Sequence, residues 1–285
     1  KNVLITGRAG TGKSTLLDYF RNHTKKEIVV LAPTGVAAVN VNGQTIHSFF
    51  GFKPTITIEK VKKIYGKNED LYKMIDIIII DEISMVRADI LDCIDKFLRI
   101  NSKDKNKPFG GVRIVFIGDL YQLPPIVKDK EKELFKTYYK SQYFFDSYVF
   151  ENLDIEFVEL DKVYRQTDEK FINLLNAIRN KSITQEELIQ INKRLNPHFE
   201  HDPKNFYINL TTTNKLAEEI NNKELNKIKS KLFAFTGKIN GSFDKSYLPT
   251  EEILNVKTDS QIMLLNNDKE HRWVNGTAGK VISID

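Results

Sequence analysis

Residues 7–14 read Gly7-Arg8-Ala9-Gly10-Thr11-Gly12-Lys13-Ser14, the spacing G-x-x-x-x-G-K-[ST]. The pattern follows an apolar run, Val3 to Thr6, and precedes a helical pattern that opens near Lys13. Strand, glycine loop and helix in that order restrict the fold more than any other short segment of the chain. Glycines keep side chains away, so backbone N–H groups can wrap phosphates, and the helix N-terminus adds partial positive charge. Lys13 is then expected to reach the β and γ phosphates of ATP, and Ser14 to ligate Mg²⁺. Gly7, Ala9, Gly10, Thr11, Gly12, Lys13, Ser14 and Thr15 form the candidate nucleotide cradle. A glycine-rich turn with no ligand is the bland alternative.

Such a loop belongs to a parallel sheet, whose buried strands read as short continuous apolar runs separated by helices. Five runs appear before residue 165: Val3 to Thr6, Ile28 to Ala32, Ile77 to Ile80, Ile114 to Ile117 and Ile155 to Leu160. Helical spacing predicts a helix over Ile83 to Ile100, on Ile90, Leu91, Ile94, Phe97 and Leu98. The alternation predicts an α/β fold with a doubly wound parallel sheet. Residues 51–73 break it, with Pro54 to Ile58 as a short strand or turn before a lysine-rich segment; we read a small insertion. Helices follow near Asp168 to Asn180, Gln185 to Leu195 and Lys215 to Lys229, with a strand at Phe206 to Thr211. Residues 231–285 carry strand-like runs at Gln261 to Leu265 and Lys280 to Ile284.

A length of 285 residues fits one large or two modest domains. The 43 basic residues, nine of them Arg, are interspersed with 38 acids, so a net charge of +5 excludes a polybasic tail and merely permits a nucleic-acid partner. One cysteine, Cys93, cannot form an internal disulfide, and no apolar stretch approaches the ~20 residues of a membrane span. Lys1 to Thr6 hold neither a signal-peptide apolar region nor a cleavage site. The expectation is a soluble, non-secreted protein in a reducing compartment, away from membranes, with chain missing upstream.

A phosphate loop needs a carboxylate for the metal and a group that orients the attacking water. Ile77 to Ile80 run directly into Asp81-Glu82, placing two acids at the carboxyl edge of the sheet, where ligands bind in open α/β folds. Asp81 is the expected Mg²⁺ holder and Glu82 the residue that polarises water; the alternative is that both merely cap the next helix. The fourth run ends in Gly118-Asp119-Leu120-Tyr121-Gln122-Leu123-Pro124-Pro125. Gln122, stiffened by the proline pair, is a candidate sensor of the γ-phosphate, with a plain proline-stiffened loop as the equal alternative.

Taken in order, these segments resemble the Pif-type (petite integration frequency) helicases of superfamily 1B, relatives of the RecD helicases, over nearly the whole chain. Gly7 to Thr15 correspond to motif I, and Ala32 to Ala38 with Gly43 to Phe50 to motif Ia. Asp81-Glu82-Ile83-Ser84-Met85 look like motif II, Gly118 to Pro125 like motif III, and Val163-Tyr164-Arg165-Gln166 like motif IV. Pro108-Phe109-Gly110-Gly111 lies in the region of the family's own signature.

The resemblance implies RecA-like domains: a P-loop NTPase domain over 1–156, with a small wedge-like insertion about 51–73, and an incomplete second one over 157–285, ending near an SH3-like insertion. It implies a Mg²⁺-ATP-dependent DNA helicase moving 5′ to 3′ on single-stranded DNA, with hydrolysis at the interdomain cleft. Single strands would be held by Pro33, Thr34 and Gly35, by His47, Ser48 and Phe49, and by Thr212, Thr213 and Asn214. The aromatics Phe49 and Phe50 read as core in preference to a stacking platform. Arg165 would act as an arginine finger, with pairing to Asp168 as the alternative, and Tyr164 would stack on adenine. Lys13, Glu82, Gln122 and Arg165 form the implied catalytic set.

Duplex or fork DNA, a monomeric state and roles in repair, recombination and telomere maintenance follow from the same resemblance. So does a cytoplasmic location in a bacterium, or a nuclear or mitochondrial one in a eukaryote. The glutamine motif expected upstream and motifs V and VI expected downstream do not occur in the sequence, which reads as a fragment. The rival functions are a phosphate-loop kinase of a small metabolite and a truncated, non-catalytic single-strand-binding module.

Overall fold

The computed structural model describes all residues except 67–69, 165–167, 200–204, 239–249, 266–267, 269, 271, 274–275 and 285. Two compact units emerge, Lys1–Lys193 and Arg194–Asp285. In the first, β1 (Asn2–Gly7), α1 (Lys13–His23), β2 (Ile28–Ala32), α2 (Gly35–Asn40), β3 (Gln44–Thr45), α3 (Ile46–Phe50) and α4 (Leu71–Met74) lead to β4 (Ile77–Ile80). There follow α5 (Ala88–Asn101), β5 (Arg113–Gly118), α6 (Asp129–Tyr138), α7 (Tyr148–Glu151), β6 (Ile155–Leu160), α8 (Glu169–Arg179) and α9 (Gln185–Asn192). All strand pairs of this unit are parallel, in the order β3-β2-β4-β5-β1-β6. The doubly wound α/β sheet expected from the apolar runs is therefore present.

The isoleucine run explains the layering. Side chains alternate between faces along a strand, and Ile78 and Ile80 join one core while Ile77 and Ile79 join another. On the first face, α5 supplies Leu91, Ile94, Phe97 and Leu98; on the second, α1 supplies Leu17 and packs with Val30 and Val41. Burial on both faces is why β4 carries no polar residue.

α5 begins at Ala88 rather than at Ile83. Ile83–Met85 form a separate 3-10 turn, and Val86 and Arg87 are extended, Arg87 bridging to Tyr143, so the helical pattern is interrupted before it starts. The Pro-Phe-Gly-Gly segment after α5 is a lock on that helix. Phe109 is fully buried at φ +53°, and its amide donates to Asp95 Oδ1 at 2.6 Å. A Cβ on Gly110 would stand 2.3 Å from the Leu98 carbonyl oxygen, so only glycine lets the turn close on α5.

Among its described residues the 51–73 segment forms no strand, and it is anchored to the core at three points. Pro54 and Thr55 form a turn and Ile58–Lys60 a single 3-10 turn, while Phe52, Val61 and Tyr72 are buried in the α5 core. Asn101 holds the segment from below: Oδ1 accepts from the Ile64 amide at 2.7 Å and Nδ2 donates to the Phe97 and Lys62 carbonyls at 2.9 and 3.4 Å. Asn101→Ala strands these buried groups, and a loss of about 2 kcal/mol in chemical denaturation is expected; an unchanged midpoint would show that the tether is dispensable.

The first unit extends beyond the boundary expected after residue 156, because β6 pairs with β1 along its full length and α8 carries Arg179 to Asp119. α9 ends at Asn192, short of Leu195. In the second unit, α10 (Asn214–Lys227) precedes β7 (Leu232–Thr236), β8 (Ile253–Lys257), β9 (Gln261–Met263) and β10 (Ala278–Lys280). These pair antiparallel as β7–β8 and β9–β10. Among the described residues no strand forms at 206–211, where Leu210 is 94% exposed and finds no ladder partner. The final strand pairs at Ala278–Lys280 instead of Lys280 to Ile284, because Ala278, Gly279 and Lys280 face Met263, Ile262 and Gln261.

Candidate active site

The parallel order brings the carboxyl ends of β1, β2, β4 and β5 to one edge of the sheet. At the end of β1 the loop passes close to β6: a Cβ on Gly7 would lie 2.7 Å from the Leu160 carbonyl oxygen and 2.8 Å from Thr11 Oγ1. Thr11 is buried, and its hydroxyl donates to the Arg8 carbonyl at 2.9 Å. Lys13 Nζ donates to the Gly7 and Arg8 carbonyls at 2.7 and 2.9 Å, so the ammonium lies over the loop it serves. Burial lowers its pKa, against the fields of Asp119, Glu82 and Asp81. Ser14 and Thr15 are exposed in the first turn of α1, and Ala9 is exposed at the loop crest.

Asp81 and Glu82 stand where β4 ends, with the Asp81 amide donating to the Leu31 carbonyl at 2.8 Å. Burial raises the pKa of both; for Asp81 the Glu82 amide and Lys13 oppose the shift, and for Glu82 the Asp81 charge adds to it. A carboxylate with a raised pKa is a better proton acceptor. Glu82 also holds φ +50°, a left-handed conformation that strains a residue with a Cβ and is found preferentially at functional positions. One pocket of about 340 Å³ is lined by Ser14, Asp81, Glu82 and Gln122 together with Thr34, Val36 and Asn40. Ser14 and Asp81 offer hard oxygen donors to one space, the chemistry Mg²⁺ selects when it shares ligands with a phosphate. A divalent cation there would also offset the cost of two buried acids.

Gln122 is tethered from beneath. Its Nε2 donates to Asp119 Oδ2 at 3.1 Å, leaving the amide carbonyl oxygen for the pocket. Asp119 is 2% exposed and also accepts from the Tyr121 amide and from Arg179. The candidate DNA-contact segment follows β2, where Thr34 caps α2 by accepting from the Ala37 amide at 3.2 Å, with Pro33 half-buried and Gly35 exposed. Thr45 caps α3 likewise through the Ser48 amide. On α3, Ser48 is exposed, while the Phe49 ring packs edge-on against Phe50 and Tyr72, a core placement. Burial pushes the His47 imidazole below its ordinary pKa, Arg87 adding to the shift and Asp89 opposing it. It is therefore uncharged at neutral pH, and a contact to phosphate would be a hydrogen bond.

Past β6, the Tyr164 amide donates to the Gly10 carbonyl at 2.8 Å, which holds the Tyr164 backbone beside the phosphate loop; the Tyr164 ring is exposed. Arg165 lies outside the described residues. In the second unit, Thr213 caps α10 by accepting from the Leu216 amide at 3.3 Å, with exposed Thr212 and Asn214 beside it.

A model of the PIF1-like helicase family matches residues 1–188. The chain belongs to the PIF1-like helicase family. It is 33% identical to the ATP-dependent DNA helicase RRM3 of Saccharomyces cerevisiae over 99% of its own length, and spans 40% of the length of that relative. Among solved structures it resembles Pif1 helicases unwinding forked double-stranded DNA as two coordinating molecules, at 36% identity and TM-score 0.85, covering 100% of this chain and 68% of the other. It also resembles Bacteroides Pif1 in complex with ADP-AlF3 and single-stranded DNA, at 35% identity and TM-score 0.83, covering 100% and 66%.

Within this PIF1-like chain, sequence reasoning overlooked Asp119 and Arg179. Asp119 had a detectable signal, an acid directly after a buried strand, like Asp81 after β4. Arg179 had none, because it meets Asp119 only through tertiary packing, 60 residues away. Among the described residues, no helix is long and apolar enough to cross a membrane.

Proposed function

We propose that the chain is the motor portion of a Mg²⁺-dependent, ATP-driven DNA helicase that moves 5′ to 3′ along single-stranded DNA. The observation that carries this reading is the pocket where Ser14, Asp81, Glu82 and Gln122 meet Thr34. Phosphate, metal, water and DNA-contact residues there share one wall. Gly7 to Thr15 cradle the phosphates, Lys13 reaches the terminal phosphates, and Ser14 and Asp81 hold the metal, which supplies charge neutralisation. Glu82 accepts the proton of the attacking water, while Gln122 reports the γ-phosphate. Tyr164 stacks on adenine and Arg165 completes the charge stabilisation.

Single strands run over Pro33, Thr34, Gly35, His47 and Ser48, with Thr212, Thr213 and Asn214 as a second grip on phosphates. The second unit, Arg194–Asp285, is proposed to be part of a second RecA-like domain with an SH3-like insertion. The protein would work as a monomer at single-strand, duplex or fork DNA, in a compartment that holds DNA.

The test is the ATPase rate with and without single-stranded DNA. Strong stimulation is expected. Hydrolysis indifferent to DNA, or transfer of labelled phosphate to a small molecule, would instead indicate a metabolite kinase, and single-strand binding without turnover a non-catalytic module.

A further inference from the structure

We propose that Arg179 is a positioning residue for γ-phosphate sensing: it clamps Asp119, and Asp119 aims the amide of Gln122 into the pocket. Arg179 Nη1 donates to Asp119 Oδ1 and Oδ2 at 2.5 and 2.6 Å. The pair is sheltered, with the Asp119 side chain 3% and the Arg179 side chain 15% exposed. Its guanidinium also lies 4.2 Å from the centroid of the Tyr121 ring, one residue from Gln122. Arginine can grip a carboxylate and stack on an aromatic at once, which lysine cannot. Asp119 thereby accepts four hydrogen bonds from three donors, Arg179 Nη1, the Tyr121 amide and Gln122 Nε2, which together fix its carboxylate. Burial works against its ionisation, yet the Arg179, Tyr121 and Gln122 hydrogen bonds hold its pKa below the ordinary carboxylate value. The charge therefore persists at neutral pH.

A buried ion pair is seldom kept for stability alone, because desolvation offsets most of the Coulomb gain. This one sits among the reacting groups: Asp119 acts electrostatically on both Lys13 and Glu82, and Arg179 on Lys13. Arg179 is also the last residue of α8, the helix that follows the motif IV segment in sequence. The clamp thus links the loop that senses the nucleotide to the helix that follows Arg165. Movement of Gln122 toward or away from the γ-phosphate is transmitted to α8 through two side chains.

The inference rests on the ATPase reading above, and its test compares Arg179→Met, Gln122→Ala and the double variant. Arg179→Met is expected to lower kcat about tenfold with KM for ATP changed less than about twofold, as for the lost alignment of one hydrogen bond. It should also reduce the preference for ADP–aluminium fluoride over ADP. In the Gln122→Ala background the same substitution is expected to cause no further loss, because the amide it aims is gone. If Arg179→Met fails to fold, Arg179→Lys, which keeps the charge and loses the planar guanidinium stacked on Tyr121, serves in the same cycle with the same expectation. Unchanged kcat, or losses that multiply in the double variant, would overturn the clamp. An unaltered protein that hydrolyses no ATP would instead overturn the ATPase reading.

Discussion

Lys13→Ala is expected to lower ATP hydrolysis by about 10² to 10³-fold, the cost of removing one preorganised electrostatic partner of the developing charge. Single-strand binding should remain, since the Pro33–Gly35 and His47–Ser48 segments do not contact the lysine in any hydrogen bond given by the structure. The ammonium is held by the Gly7 and Arg8 carbonyls and faced by Asp81, Glu82 and Asp119. Removing it leaves three acids around the phosphate site with less positive charge to balance them, so nucleotide affinity falls with the rate. Glu82→Gln separates the two effects. It keeps the shape and removes the proton acceptor, so ATP still binds while hydrolysis collapses. A Lys13→Ala protein that turns over ATP at the normal rate would show the site to be misassigned.

Phe97→Ala is expected to destabilise the first unit by about 3 to 5 kcal/mol in urea unfolding, the range for emptying a buried aromatic site. The ring is 2% exposed and lies 5.1, 5.8 and 4.8 Å from the centroids of Phe50, Phe52 and Tyr72. Those partners come from the end of α3 and from the 51–73 segment, so the loss loosens α3 as well. Since α3 carries His47 and Ser48, single-strand affinity should fall together with the unfolding midpoint. A loss below about 1 kcal/mol would mean that the neighbouring rings collapse into the gap.

Much of the first unit was legible in the sequence because strands buried on both faces leave an uninterrupted apolar trace. Ile28–Ala32 and Ile77–Ile80 match residue for residue on that account, and Ile155–Leu160 matches too although it is an edge strand that carries Glu156 and Glu159. The phosphate loop and Asp81-Glu82 were legible for a second reason, since backbone chemistry demands particular residues at fixed spacing. β3 escaped because two residues carry no periodicity. The run at 206–211 misled because alternation predicts a strand only if a partner ladder exists, and sequence does not supply one. The 51–73 segment read as polar because its lysines outnumber the few residues, Phe52, Val61 and Tyr72, that anchor it. The Asp119–Arg179 pair depends on packing between β5 and α8, which no local pattern encodes.

The common wall of the pocket has a mechanical meaning. Thr34, Val36, Ala37 and Asn40, on or beside α2, line the same pocket as the acids and the serine that would handle the nucleotide. On the proposed reading, a shift of that six-residue helix would change the volume open to the terminal phosphate and, in the same movement, the line along which a DNA strand would be gripped. The lever arm between fuel and track would then be a single helical turn or two, short enough for one rigid piece to serve both without a relay through the core.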